Sequence, residues 1–389
     1  MQRSAPQRMT SETQKSAVPT PAKSPKLREA RFEDYAQIFA LAAKFQLHTE
    51  SYTGWTHLWT DNPAYREIDG KFPIGWVLET PDGAICGYLG NIPLQYEFEG
   101  KRLLAATTRA WVVDAGYRTY SPLLLGTHLN QPKVDLFLHT TVNSQAAPAY
   151  SIFQGLPVPV GAWDRTQFWI TSERGFCESV LRKKAWPLAK AISYPISAGL
   201  FVRERFRRSH FAAGIANMTE CAGFDDRFDA FWEELRKEKS NMLLAVRNRE
   251  VLDWHFKFAL SQKAAWIYTS EIGSKVAAYA VFLRQDSPEA RLTRVRLADF
   301  QCHQREQAPA MLAAMLRLAM ERCQRESIHM LELIGLTPEL EKALQSASPH
   351  RRTLPNWIYF YKANNLALGE KLRNPAVWEP SLFDGDSSL

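Results

Sequence analysis

The apolar periodicity of this 389-residue chain writes one order of elements twice, and that restricts the fold more than any other feature. In the first pass, residues 27–32 alternate as a short strand. Glu33-Asp34 then open a helix whose Tyr35, Ile38, Phe39, Leu41, Ala42 and Phe45 fall near one face. A second helix around residues 55–58 stops at Asp61-Asn62-Pro63. Residues 75–80 and 84–90 flank Pro81-Asp82-Gly83, a hairpin turn, and residues 96–100 close that limb. A long strand over 101–113, a helix over 122–131 with Pro122 in its first turn, a strand over 134–140, a helix over 144–153 and a strand over 158–171 complete the pass. This order predicts a mixed α/β sheet with helices on its faces.

The second pass repeats the order with slight residue identity. Helices are expected over 224–239 and 251–258, a hairpin over 264–270 and 276–283 around Gly273, and a strand over 292–300. The clearest helix of the chain covers 308–325, with Met311, Leu312, Met315, Leu316, Leu318 and Ala319 on its apolar side. A strand over 329–334, a helix over 338–345 capped by Thr337, and a strand over 356–361 follow. The economical division is a tail (1–26), a first domain (27–173), a connector (174–216) and a second domain (217–389), in keeping with the usual size of domains.

The net charge of +7 belongs to the parts outside the two domains. Residues 1–26 hold five Lys or Arg and one Glu, and residues 174–210 hold nine Lys or Arg and two Glu, so the rest of the chain is slightly acidic. A pI near 9.1 is therefore weak evidence for nucleic acid. The tail, rich in Ser, Pro, Gln and Thr, reads as disordered. In the connector, Arg182, Lys183, Lys184, Lys190, Arg203, Arg205, Arg207 and Arg208 flank Trp186, Ile192, Tyr194, Leu200 and Phe201. That mixture suits an anionic membrane surface, although a solvated linker packed between domains is the simpler expectation. The five Cys lack any C-x-x-C and the nine His lack ligand spacing, so no metal site is expected. With neither a secretory signal nor an apolar run long enough to span a bilayer, a cytoplasmic protein is expected. His255, between Trp254 and Phe256, reads as a core histidine.

Residues 113–125, Val113-Asp-Ala-Gly-Tyr-Arg-Thr-Tyr-Ser-Pro-Leu-Leu-Leu125, resemble the strand-loop-helix of the GNAT acyltransferases. Asn143-Ser-Gln-Ala-Ala-Pro-Ala-Tyr150 and Phe153-Gln-Gly155 are similar to that family's segment after its fifth strand. With the repeated order, the resemblance implies two tandem GNAT-like domains, related in plan to Fem-like aminoacyltransferases. It implies that Val113, Arg118, Thr119, Tyr120, Ser121 and Asn143 hold acetyl-CoA or another acyl-CoA, the pyrophosphate lying on amides at a helix N-terminus. It further implies that Tyr150 protonates the leaving thiolate and that Asp114, just past the long strand, is the nearest base. The chain departs from the pattern where the family has glycines, which here are Thr119, Ser121 and Leu123, and Pro122 removes one amide. In the second copy the loop at 302–309 has no glycine.

The function expected from the resemblance is transfer of an acyl group, acetyl first, from acyl-CoA to an amine on a small molecule, glycan or peptide, with cell-envelope or polysaccharide metabolism as a setting. Two alternatives follow from the altered loops. One is a Fem-like enzyme using aminoacyl-tRNA, the only reading that calls for nucleic acid. The other is a binding module that keeps the fold without the chemistry.

Overall fold

The computed structural model of the chain describes residues 24–47, 50–161, 163–184, 193, 197, 218–347, 349–354 and 357–389. The expected tail and most of the expected connector lie outside the described residues. The first half runs β1 (Lys26–Glu29), α1 (Tyr35–Lys44), α2 (Tyr52–Thr60), α3 (Pro63–Glu67), β2 (Gly75–Glu79), β3 (Ile85–Phe98), β4 (Lys101–Val113), α4 (Ser121–Leu129), β5 (Leu136–Val142), α5 (Ala147–Ile152), β6 (Leu156–Pro157), β7 (Arg165–Ile170) and α6 (Glu173–Lys183). The second runs β8 (Met218–Cys221), α7 (Asp226–Glu238), β9 (Leu244–Ala245), α8 (Arg249–Ser261), β10 (Ala265–Ile272), β11 (Lys275–Arg284), β12 (Arg294–Cys302), α9 (Ala308–Arg325), β13 (Met330–Ile334), α10 (Pro338–Ala343), β14 (His350–Thr353), β15 (Ile358–Ala363) and α11 (Leu366–Lys371).

Two mixed sheets result, in the orders β1-β2-β3-β4-β5-β15-β6 and β8-β10-β11-β12-β13-β7-β14, with β9 pairing β3. Read outward from β1 and from β8, the orders match position for position. The sixth place of each sheet is filled by a strand from the other half: β15 lies antiparallel to β5, and β7 lies antiparallel to β13. Of the expected strand over 158–171, only Arg165–Ile170 is a strand, β7, and it joins the second sheet, while the two-residue β6 just before that span joins the first. Alternation along β7 tells which residues face inward, and carries no information about which sheet receives them.

The expected strands 84–90 and 96–100 are one continuous β3, passing through Pro93. Beyond Gly90, which pairs with Gly75 at the end of β2, β3 has lost that neighbour, so a residue without an N–H is tolerated. Gly75 itself is at φ +150°, and a Cβ there would strike the Leu89 carbonyl oxygen. Gly75→Ala is expected to cost about 1–3 kcal/mol of stability, read as a lowered urea midpoint with unchanged slope. An unchanged midpoint would show that the backbone relaxes freely.

Apolar faces meet as the periodicity requires. Met311, Leu312, Met315 and Leu316 of α9 pack on one face of the second sheet with Trp266, Phe282 and Leu331. Leu124, Leu125 and Leu129 of α4 pack on one face of the first sheet with Leu89, Ala106 and Phe137. His255 is core, its Nε2 2.7 Å from Ser388 Oγ, and burial pushes its pKa down to about 3. Among the described residues no helix is long and apolar enough to cross a membrane.

Candidate active site

The parallel strands β4 and β5 pair only at Ala105–Leu136 and Ala106–Phe137, then both run on unpaired to Val113 and Val142. On its other side β4 bulges: Val112 pairs with Tyr88 and Arg109 with Gly90, so Ala110 and Trp111 stand opposite Leu89 alone. Ala110 sits at φ +55°, and such a bulge bends its strand. A wedge-shaped gap opens in the middle of the sheet. Backbone groups of β4 that face it have no ladder partner on β5.

Alternation sorts the side chains at this gap onto two faces. On the face covered by α4 and α5, Thr108 Oγ1 lies 3.2 Å from His139 Nδ1, and the Tyr150 ring packs 4.7 Å from His139 and stacks 5.4 Å from Phe360. The His128 ring lies 5.1 Å from that of His139, with its Nδ1 3.0 Å from Asn91 Oδ1. Burial pushes His139 down to about 3 and His128 well below its ordinary range, so both rings are neutral. The Nε2 atoms of both are buried without a hydrogen-bond partner. Burial raises the Tyr150 phenol despite a hydrogen bond with Thr108, and the charge of Asp386 raises it further. Tyr150 is therefore a protonated phenol at neutral pH.

On the opposite face, Gly385 fits between Thr107 and Thr140. A Cβ there would lie 2.9 Å from Thr140 Cγ2, and φ is +80°. This places Asp386, whose carboxylate accepts from Thr140 Oγ1 at 2.8 Å and Thr141 Oγ1 at 3.2 Å. Arg109 donates to the Asp386 carbonyl oxygen at 3.3 Å and pairs with Glu50. Burial raises the Asp386 carboxyl, with Arg109 opposing. Asp386 was not among the residues the sequence singled out. Its segment, Asp384-Gly-Asp-Ser-Ser388, is locally a polar stretch, and the one signal in it is a glycine where a close approach demands one.

The other expected site residues lie at the start of α4. Val113 is buried, and Asp114 at the end of β4 pairs with Lys44 at 3.2 Å on the surface rather than with Tyr150. Residues Ala115–Tyr120 wind into a 3-10 turn leading directly into α4. Within it the Tyr117 amide is spent on the Asp114 carbonyl oxygen and the Ser121 amide on that of Arg118. Arg118 and Thr119 are exposed, and the Tyr120 hydroxyl donates to Ser24 Oγ at 3.1 Å. Asn143 Oδ1 accepts from the amides of Gln145 and Ala146 at 3.0 and 2.8 Å, ordering the entry to α5.

The equivalent gap of the second sheet is closed by the chain itself. β12 and β13 pair only from Arg294–Met330 to Arg296–Glu332, and beyond them the Phe383 amide donates to the Ala298 carbonyl oxygen at 2.9 Å. Between the gaps, Arg247 is buried with Nε 2.9 Å from Asp299 Oδ2 and Nη2 3.6 Å from Asp384 Oδ1. Tyr279 donates to Asp299 at 2.7 Å and Tyr96 to Asp384 at 3.2 Å. This network fixes the segment that carries Asp386. Among the described residues no group of three His, Cys, Asp or Glu side chains could hold a metal ion.

A mixed sheet that splays between its fourth and fifth strands, with a helix starting beside the splay, is the GNAT fold, here present in two interlocked sheets. Comparison with solved structures shows the same fold. Saccharomyces cerevisiae N-myristoyltransferase with bound myristoyl-CoA superposes with a TM-score of 0.54 at 11% identity, over 89% of this chain and 80% of that one. A GCN5-related N-acetyltransferase from Anabaena variabilis gives 0.50 at 10% identity, over 88% and 73%. A probable N-acyltransferase from Enterococcus faecalis gives 0.52 at 11% identity, again over 88% and 73%. No protein-family model matches the sequence. No curated protein matches it either.

Proposed function

We propose that the chain is an N-acyltransferase that moves a short acyl group, acetyl, from acyl-CoA to an amine at the β4/β5 gap of the first sheet. The observation that carries this is the placement of a protonated phenol, Tyr150, on one face of the gap and a carboxylate, Asp386, on the other. The acyl thioester enters from the α4 and α5 face, with its phosphates toward Arg118, Thr119 and Ser121, where hydroxyls and a guanidinium stand in for glycine amides. The amine approaches from the Asp386 face. As its nitrogen bonds to the thioester carbon, Asp386 takes the proton the nitrogen sheds. Unpaired β4 amides at the gap stabilise the oxyanion. As the C–S bond breaks, Tyr150 gives its proton to the thiolate. Thr108 and neutral His139 hold the phenol in place.

The test is thiol release from acetyl-CoA across a panel of amines on small molecules, glycans and peptides. Tyr150→Phe and Asp386→Asn are each expected to lower kcat by about 10²–10⁴ while leaving acetyl-CoA affinity unchanged. A protein whose melting temperature does not respond to acetyl-CoA would overturn the donor assignment. An unaltered rate in Tyr150→Phe would overturn the acid.

A further inference from the structure

The second sheet carries a feature that acyl transfer in the first does not use. On the face presented by Phe168, Glu332 and Arg296, which lie side by side in β7, β13 and β12, three arginines surround one carboxylate. Glu332 is fully buried; Arg296 Nε donates to it at 2.7 Å and Arg352 of β14 pairs with it from the other side. Arg294, two residues along β12, spends only its Nε, on the Gln285 carbonyl oxygen at 2.6 Å. Arg284 is held by Asp286. Among the described residues, these four arginines stand against two carboxylates, Glu332 and Asp286, an excess of two positive charges. Burial, with the neighbouring charge of Arg296, pushes the Arg294 pKa down to about 10. Arg352 Nε is buried without a hydrogen-bond partner. Aromatic rings complete the site: Arg296 lies 5.1 Å from the centroid of Trp357, and Arg352 5.5 Å from that of Phe168.

An excess of two charges on planar, forked donors matches a phosphoryl group, which carries nearly two negative charges at neutral pH, better than a single carboxylate. We propose that Arg294, Arg296 and Arg352 form a binding site for a phosphate ester or pyrophosphate whose organic portion packs on Phe168 and Trp357. The site belongs to the second sheet and stands whether or not the first transfers acyl groups.

Inorganic pyrophosphate is the probe, titrated against the whole chain by calorimetry and thermal shift. Wild type is expected to bind and to melt higher. Arg294→Gln/Arg352→Gln, which keeps the buried Arg296–Glu332 pair, is expected to bind about tenfold or more weakly, while Arg102→Ala, an exposed arginine at the start of β4 outside both sites, binds as wild type. Should the double variant fail to fold, Arg352→Gln alone, at a half-exposed position, serves, judged by circular dichroism and by the same titration. No binding by wild type, undiminished binding by the Arg294 and Arg352 variants, or loss confined to Arg102→Ala would overturn the site.

Discussion

Replacing Arg247 by Met is expected to destabilise the protein by about 3–5 kcal/mol, because it strands two carboxylates in the space between the sheets. Arg247 and Asp299 are both buried, and the guanidinium reaches Asp299, Asp384, Ser381 Oγ and the Ala245 carbonyl oxygen together. Burial alone would push both carboxyls up. Arg247 outweighs it at Asp299, which stays below the usual carboxyl range, but not at Asp384, which is pushed up to about 6. The two therefore act on stability with opposite sign. Asp384 favours the fold while protonated, so its contribution is complete below the ordinary carboxyl pKa and fades as the pH rises through about 6. Asp299 favours the fold while ionised, and its contribution is lost only as the pH falls below the ordinary value. Without Arg247 both carboxyls bind protons more readily. The loss should be larger at pH 8 than at pH 5, measured from urea midpoints at the two pH values. An equal loss at both would mean that packing, not charge, is what Arg247 supplies. Asp299→Asn in the same background should restore part of the stability, since it removes one stranded charge.

What the sequence disclosed about the fold was whatever depends on local periodicity. Helix 308–325, the turn at 81–83, the long strand ending at Val113 and Tyr150 on a short helix after β5 are local patterns, and each lies where its pattern places it. The resemblance at 113–156 pointed to residues that border the β4/β5 gap of the first sheet. Two things were hidden for a common reason: they depend on where distant segments meet. Strands 165–170 and 358–363 alternate as strands should, yet nothing in alternation says that each joins the other half's sheet. Asp386 lies far along the chain from Thr140, and no spacing rule relates them. Asp114 drew attention because it is close in sequence to the loop. In space its side chain is engaged by Lys44, and the carboxylate that lines the gap arrives from the far end of the described chain.

The strand exchange makes a strong prediction about autonomy. Residues 24–184 and 218–389, each expressed alone, should fail to fold, although each spans a full order of elements. The first piece would lack β15, leaving β5 and β6 with no strand between them; the second would lack β7, parting β13 from β14. The missing surface is mostly aromatic: Tyr359, Phe360 and Tyr361 of β15 and Trp169 of β7 are all nearly inaccessible in the whole chain. At about 3–5 kcal/mol for each large aromatic removed from a core, the three of β15 alone approach or exceed the about 5–15 kcal/mol that stabilises an ordinary protein. Unpaired β5 and β13 edges would also invite aggregation. Each half alone is therefore expected in the insoluble fraction or without a cooperative melt. The two halves co-expressed should recover a soluble complex, because the donated strands then find their places. The whole chain should unfold in one transition by circular dichroism and tryptophan fluorescence together. A cooperative melt from either half by itself would show that its sheet closes without the donated strand.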